Sequence, residues 1–151
     1  MPRVIDSVPR SLLLLLCAFL LMLTAAPSPA MTVVRAPAGA VDLDLAGALE
    51  VRRSAADAGM ALAMTATDWQ ANTRRLSNFG ESPQALWLRF RLETPNGAHP
   101  PLYVRYGYPS MDYVDIWFLS GNRPVAHWSG GDRRPFAVRP VDDRLMLFPV
   151  P

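Results

Sequence analysis

From residue 85 onward, apolar and polar positions alternate with the period of two that a β-strand imposes. In "ALWLRFRLET" (85–94), Leu86, Leu88, Phe90 and Leu92 fall on one face and Trp87, Arg89, Arg91 and Glu93 on the other. "LYVRYGY" (102–108) sets Leu102, Val104 and Tyr106 against Tyr103, Arg105 and Gly107. "DYVDIWFLS" (112–120) sets Val114, Ile116 and Phe118 against Tyr113, Asp115 and Trp117. A turn "SGNRP" leads into a short strand "PVAHWS" (124–129), a polar link "GGDRRPFAVRP" (130–140) and a last strand in "RLMLFPVP" (144–151). Asn96-Gly97, within "PNGAHPP" (95–101), is the strongest turn signal.

Upstream the pattern is shorter. "MTVVRAPAGA" (31–40) reads as a loose, flexible start, and "VDLDL" (41–45) as a first strand with Val41, Leu43 and Leu45 inward and Asp42 and Asp44 outward. "GALEVRRS" (47–54) reads as a short strand ending in a turn, and "RRLSNFGESPQ" (74–84) as a loop. Within 60–72, Thr67 or Asp68 is placed to cap a short helix starting at Trp69. Short strands at roughly ten-residue spacing, punctuated by Gly and Pro, predict an all-β, jelly-roll-like β-sandwich with one short helix. The last strand has no closing strand behind it, and complete β-proteins cover such an edge. The domain at 41–151 is therefore expected to be truncated at its C-terminal strands, as a piece of a larger protein.

Residues 1–30 differ in kind and read as an export signal: Arg3 and Arg10 precede the apolar run "LLLLLCAFLLML" (12–23), which ends in the small-residue exit "TAAPSPA" (24–30). Cleavage is expected after Ala30, since cleavage after Ala26 would put Pro27 first in the mature chain. The apolar run is well short of the roughly 20 residues that span a bilayer. Cys17 follows Leu16, where a lipid-attachment site wants a small residue, and it is the only cysteine. A mature chain without it has no disulfide, cysteine nucleophile or zinc–thiolate site. The expected location is exported and periplasmic.

All fifteen basic residues are Arg. With Arg3, Arg10 and Asp6 removed by cleavage, thirteen Arg face twelve acidic residues. That near-neutral balance gives no nucleic-acid footprint. Hydrolase elbows, phosphate loops, His-Glu-x-x-His pairs and dinucleotide fingerprints are missing, and no cofactor is expected. His127 with Asp132 has the residue types of a catalytic dyad or half a metal site, against the plainer reading of a half-buried histidine; His99 lies in a turn. Asp112 with Asp115, or Asp142 with Asp143, are the carboxylate pairs that glycoside hydrolysis would need. Each pair points to opposite sides of an extended chain.

What stands out is the polar face of the central strands. Trp87, Arg89 and Arg91, then Tyr103 and Arg105, then Tyr113, Asp115 and Trp117 would form a three-row surface of rings, guanidiniums and a carboxylate if their strands were neighbours. Such a surface suits a saccharide, whose apolar faces stack on rings and whose hydroxyls take directional hydrogen bonds. The same residues also fit plain cross-strand packing, for instance Arg105 with Asp115.

Together "ALWLRFRLE" (85–93), "YPSMDYVDIWF" (108–118), "GGDRRPFAVRP" (130–140) and "RLMLFPVP" (144–151) resemble, in order, successive blocks of extracellular domain 2 of seven-transmembrane receptors with diverse intracellular signalling modules. "VDLDLAGALEVRRSAADAG" (41–59) resembles that domain's opening strand and acidic turn. The resemblance implies a non-catalytic periplasmic sensory domain of a membrane receptor that binds a carbohydrate or a related small polar molecule. In full-length homologues such a domain precedes seven membrane helices and a cytoplasmic output module such as a diguanylate cyclase or a histidine kinase. The sequence departs from the family in stopping where the last strands are due, and the family supplies no binding residues to carry over. The competing reading is a secreted carbohydrate-active enzyme or its accessory carbohydrate-binding β-sandwich. N-terminal sequencing of the protein recovered from a periplasmic fraction is expected to start at Met31; a start at Met1 would refute the cleaved export signal.

Overall fold

The computed structural model describes residues 31–37, 39, 42–74, 79–94, 100–108 and 110–151. The expected export signal, the Asn96-Gly97 turn and His99 lie outside the described residues. The architecture is all-β with one short helix. In chain order the elements are β1 (Val33–Arg35), β2 (Glu50–Ser54), α1 (Met60–Thr65), β3 (Gln70–Ala71), β4 (Ala85–Arg89), β5 (Arg91–Glu93), β6 (Tyr103–Tyr106), β7 (Val114–Ser120), β8 (Arg123–Gly130) and β9 (Met146–Pro149).

These strands form four ladders: β1 with β5, β3–β2–β4, β6 with β9, and β7 with β8. The β1–β5 pair is parallel, and the others are antiparallel. Residues 85–94, which read as one strand, break at Phe90: β4 pairs with β2, whereas β5 pairs with β1. Arg35 stands opposite Glu93, and its Nε donates to the Glu93 carboxylate at 3.1 Å. The stretch read as a loose start thus contains a strand.

The structure corrects two further expectations. Residues 42–45 are not a strand, and Leu43 is exposed. The Asp44 carboxylate accepts the Ala46 N–H at 2.9 Å, which turns the chain into a 3-10 turn at Ala46–Ala48; a short polar side chain here outcompetes the ladder. The helix falls at Met60–Thr65, not after Trp69. Asp68 is taken by Arg52, Trp69 is buried, and Gln70 and Ala71 pair with Val51 and Glu50. Tertiary pairing therefore overrides the capping signal.

The last strand pairs on one side with β6, from Tyr103↔Pro149 to Tyr106↔Met146, and among the described residues no strand pairs with its other edge. Its Met146 and Phe148 are the most buried large side chains, and they pack against β8 at Gly130. A Cβ at Gly130 would lie 3.0 Å from the Met146 sulfur and 3.6 Å from the Phe148 ring. Nearby, Trp128 Nε1 donates to the Pro149 carbonyl at 3.0 Å, so the β7–β8 hairpin and the β6–β9 pair share one core.

The hairpin turns on Gly121-Asn122. Gly121 has φ +60°, and Asn122 keeps a negative φ, the pattern of a II′ turn with glycine first. A bulge between Phe118 and Leu119 shifts the register by one residue, so that Trp117 faces His127 and Asp115 faces Ser129. Past the hairpin, Gly131 takes φ +112° where its backbone presses on residues 112–113. Asp132 N–H donates to the Met111 carbonyl at 2.7 Å and Arg133 N–H to that of Asp112 at 3.0 Å.

At Gly131 an added Cβ would meet the Asp112 carbonyl oxygen, so Gly131→Ala combines a disfavoured φ with a backbone clash. A loss of about 2–4 kcal/mol in urea unfolding is expected. A variant within about 0.5 kcal/mol of the wild type would refute this account of the link.

Candidate functional site

The three rows of the sequence-derived face fall in different ladders: Trp87 and Arg89 on β4 and Arg91 on β5, Tyr103 and Arg105 on β6, and Asp115 and Trp117 on β7 with Tyr113 just before it. Two rows nevertheless meet. The Trp87 ring stacks on Trp117 at 5.6 Å between centroids and 28° between planes. Trp117 stacks in turn on His127, at 4.5 Å and 3°. Trp87 Nε1 donates to the Ser54 hydroxyl at 2.9 Å, which fixes the first ring from β2.

The third row does not join. Arg105 lies 3.4 Å from Asp42 rather than near Asp115, Tyr103 is exposed, and Arg91 is exposed on β5. Arg89 turns to Glu50, directly opposite it in the β2–β4 register, and its Nε donates to the Glu50 carboxylate at 2.6 Å. The Arg89 guanidinium also lies 4.3 Å over the Trp69 ring. Glu50 is only 4% exposed, so this face of β4 is occupied by a buried ion pair.

Asp115 is the polar centre of the cluster. One carboxylate oxygen accepts from Ser129 Oγ at 2.7 Å and lies 3.0 Å from His127 Nε2. The other accepts from Arg134 Nη2 at 2.6 Å. The remaining terminal nitrogen of Arg134 donates to the carbonyls of Val114 at 2.8 Å and Gly130 at 3.0 Å, and its guanidinium lies 5.3 Å from the Tyr113 ring centroid. Burial works to raise the Asp115 carboxyl, but hydrogen bonds from Arg134, Ser129 and His127 and the charge of Arg134 outweigh it. The carboxyl is held below the ordinary carboxylate range.

Sequence reading missed Ser129 and Arg134 and paired His127 with the wrong acid: its neighbour is Asp115, while Asp132 lies 3.8 Å from Arg139. Asp112 faces Arg133, and the Asp143 carboxylate accepts the Leu145 N–H. Among the described residues no group of three or more His, Cys, Asp or Glu is placed to hold a metal ion, and no helix is long and apolar enough to cross a membrane.

The described residues form an all-β domain in which one carboxylate, Asp115, gathers Ser129, His127 and Arg134 beside a stack of rings. Residues 28–151 match the family model described as 7TMR-DISM extracellular 2, and the chain belongs to that family of extracellular sensory domains of seven-transmembrane receptors. In a full-length receptor the domain is exported, periplasmic and attached to the membrane. No curated protein matches the chain.

The depressed Asp115 carboxyl fixes the sign of a pH effect. Its contribution to stability is complete above the unfolded value of about 3.9 and is lost as pH falls through the lower folded value. Asp115→Asn is expected to cost about 1.5–3 kcal/mol at neutral pH, a deficit that narrows below about pH 4 in urea unfolding. A deficit that stays constant into the acid range would show that the carboxylate charge is not what holds the link.

Proposed function

We propose that this domain is the non-catalytic, ligand-receiving part of a membrane signalling receptor and that it binds a saccharide or a similar small polar molecule. The output would pass to membrane helices and a cytoplasmic module of the full-length receptor. Its site is the open rim of the ring stack. The observation that carries the reading is the exposure around Trp117: Tyr113 is 59% exposed, and the His127 side chain is 46% exposed beside a partly open Asp115. These groups offer a ring face, a ring edge and a carboxylate within one patch, the combination that pyranose rings and their hydroxyls select.

Of the residues named from sequence, Trp87, Tyr113, Asp115 and Trp117 remain in this proposal. Arg89, Arg91, Tyr103 and Arg105 have partners or positions elsewhere and contribute to it only at a distance.

A neutral-sugar thermal-shift series on the full chain tests the reading. A bound sugar at 100-fold excess over its dissociation constant should stabilise the domain by about 2.7 kcal/mol. Tyr113→Ala, which removes an exposed ring, and Trp117→Ala should both abolish the shift. A shift that survives both changes, or no shift with any neutral sugar, would refute the rim as a saccharide site.

A further inference from the structure

Among the described residues His127 is the one imidazole, and it is tied at both its edge and its face. Its Nε2 lies 3.0 Å from the Asp115 carboxylate, and its ring stacks on Trp117 at 4.5 Å between centroids and 3° between planes. A carboxylate has no hydrogen to offer, so Nε2 carries one whichever charge the ring holds. The proton that a histidine gains or loses between about pH 5 and 8 therefore comes and goes at Nδ1, which has no partner among the described residues. Water reaches the ring, since the side chain is 46% exposed.

Three elements set the charge around that ring. From β7 comes Asp115, whose carboxyl lies below the ordinary range and stays ionised throughout that interval. From the link after β8 comes Arg134, bound to the other oxygen of Asp115. On β2, Arg52 stands opposite Trp87, at the far end of the stack, and is paired with Asp68. Neither arginine changes charge, so His127 is the group that switches. As an imidazolium it shares one carboxylate with Arg134 and lays a positive charge flat on the Trp117 indole, a contact that the neutral ring does not make.

Trp117 passes that contact on. Its ring also stacks on Trp87, whose Nε1 is bonded to Ser54 on β2. No backbone ladder among the described residues joins the β7–β8 hairpin to the β3–β2–β4 sheet, so a charge on Trp117 falls on the side-chain bridge between them. We infer that this bridge is an acidity sensor, with His127 taking up the proton and the Trp117–Trp87 pair carrying the change to the β2–β4 ladder. The response needs no ligand, so it stands or falls apart from the saccharide rim.

Nitrogen-15 NMR of the full chain, followed from about pH 8 to about pH 5, tests the sensor. The indole N–H signals of Trp117 and Trp87 are expected to shift with the same midpoint as the His127 ring, while that of Trp69, under the Arg89 guanidinium, stays in place. His127→Gln and His127→Asn, neither of which can take up the proton, should each abolish both shifts, and His99→Gln should leave both intact. Shifts lost with His127→Gln in a domain that binds no neutral sugar remove the rim and keep the sensor. The assignment is overturned if Trp117 does not titrate in the wild type, if its shift survives the His127 changes or is lost with His99→Gln, or if Trp87 stays still while Trp117 moves. The remaining amide signals confirm that each variant is folded.

Discussion

The carboxylate of Asp115 is the constraint from which the rest of the C-terminal half is arranged. A carboxylate is an acceptor only, so it can take donors from several directions at once, and here they come from β8 and from the link that follows it. Arg134 does more than balance the charge. Its second nitrogen bonds the carbonyls of Val114 and Gly130, the two residues that face each other at the open end of the hairpin. That clamp holds the chain where Gly131 crosses the backbone of residues 112–113, at a spacing that leaves no room for a side chain. With the hairpin end fixed, Gly130 meets Met146 and Phe148, the centre of the core.

A second charge plays a comparable part in the N-terminal half. Glu50 is buried and stands opposite Arg89, whose guanidinium also covers Trp69. A buried ion pair adds little net stability over apolar packing, but a buried charge without its partner is costly. A one-residue slip of β4 would set Leu88 or Phe90 opposite Glu50 and leave it unpaired, so the pair specifies the register of β2 against β4. The Trp87–Trp117 contact then joins this ladder to the hairpin through side chains, because no backbone ladder among the described residues connects β4 with β7.

The strands after residue 85 were legible because alternation is a direct imprint of half-buried strands. β6, β7, β8 and β9 fall where the pattern put them, within a residue or two at their ends. The N-terminal elements were not, for reasons visible in single residues. The alternation of "VDLDL" was undone by one carboxylate bonding one backbone N–H, and the Asp68 cap was diverted by Arg52, far away in sequence. The break at Phe90 leaves no mark in the alternation, since residues on either side keep the same period while exchanging partners. The site was half legible: residue type and face marked Trp87, Tyr113, Asp115 and Trp117, but not which strand would lie across from them.

The missing information is a single extra residue. The two-residue turn at Gly121-Asn122, carried on without interruption, would place Asp115 opposite Trp128 and Trp117 opposite Ala126. Directly opposed residues share a face, so that register would set a carboxylate against indole and leave Ser129 and His127 on the wrong side. The bulge between Phe118 and Leu119 absorbs Val125, which is exposed, and advances β8 by one position. Pro124, which has no N–H to give a ladder, sits beside the interruption, where its missing donor is least costly. Trp128 and Gly130 are thereby turned to the core with Ile116 and Val114, and Ser129 and His127 to Asp115 and Trp117. The polar cluster, its clamp and the aromatic stack all depend on that one-residue advance. A proline just after a tight glycine turn is the trace of it in the sequence.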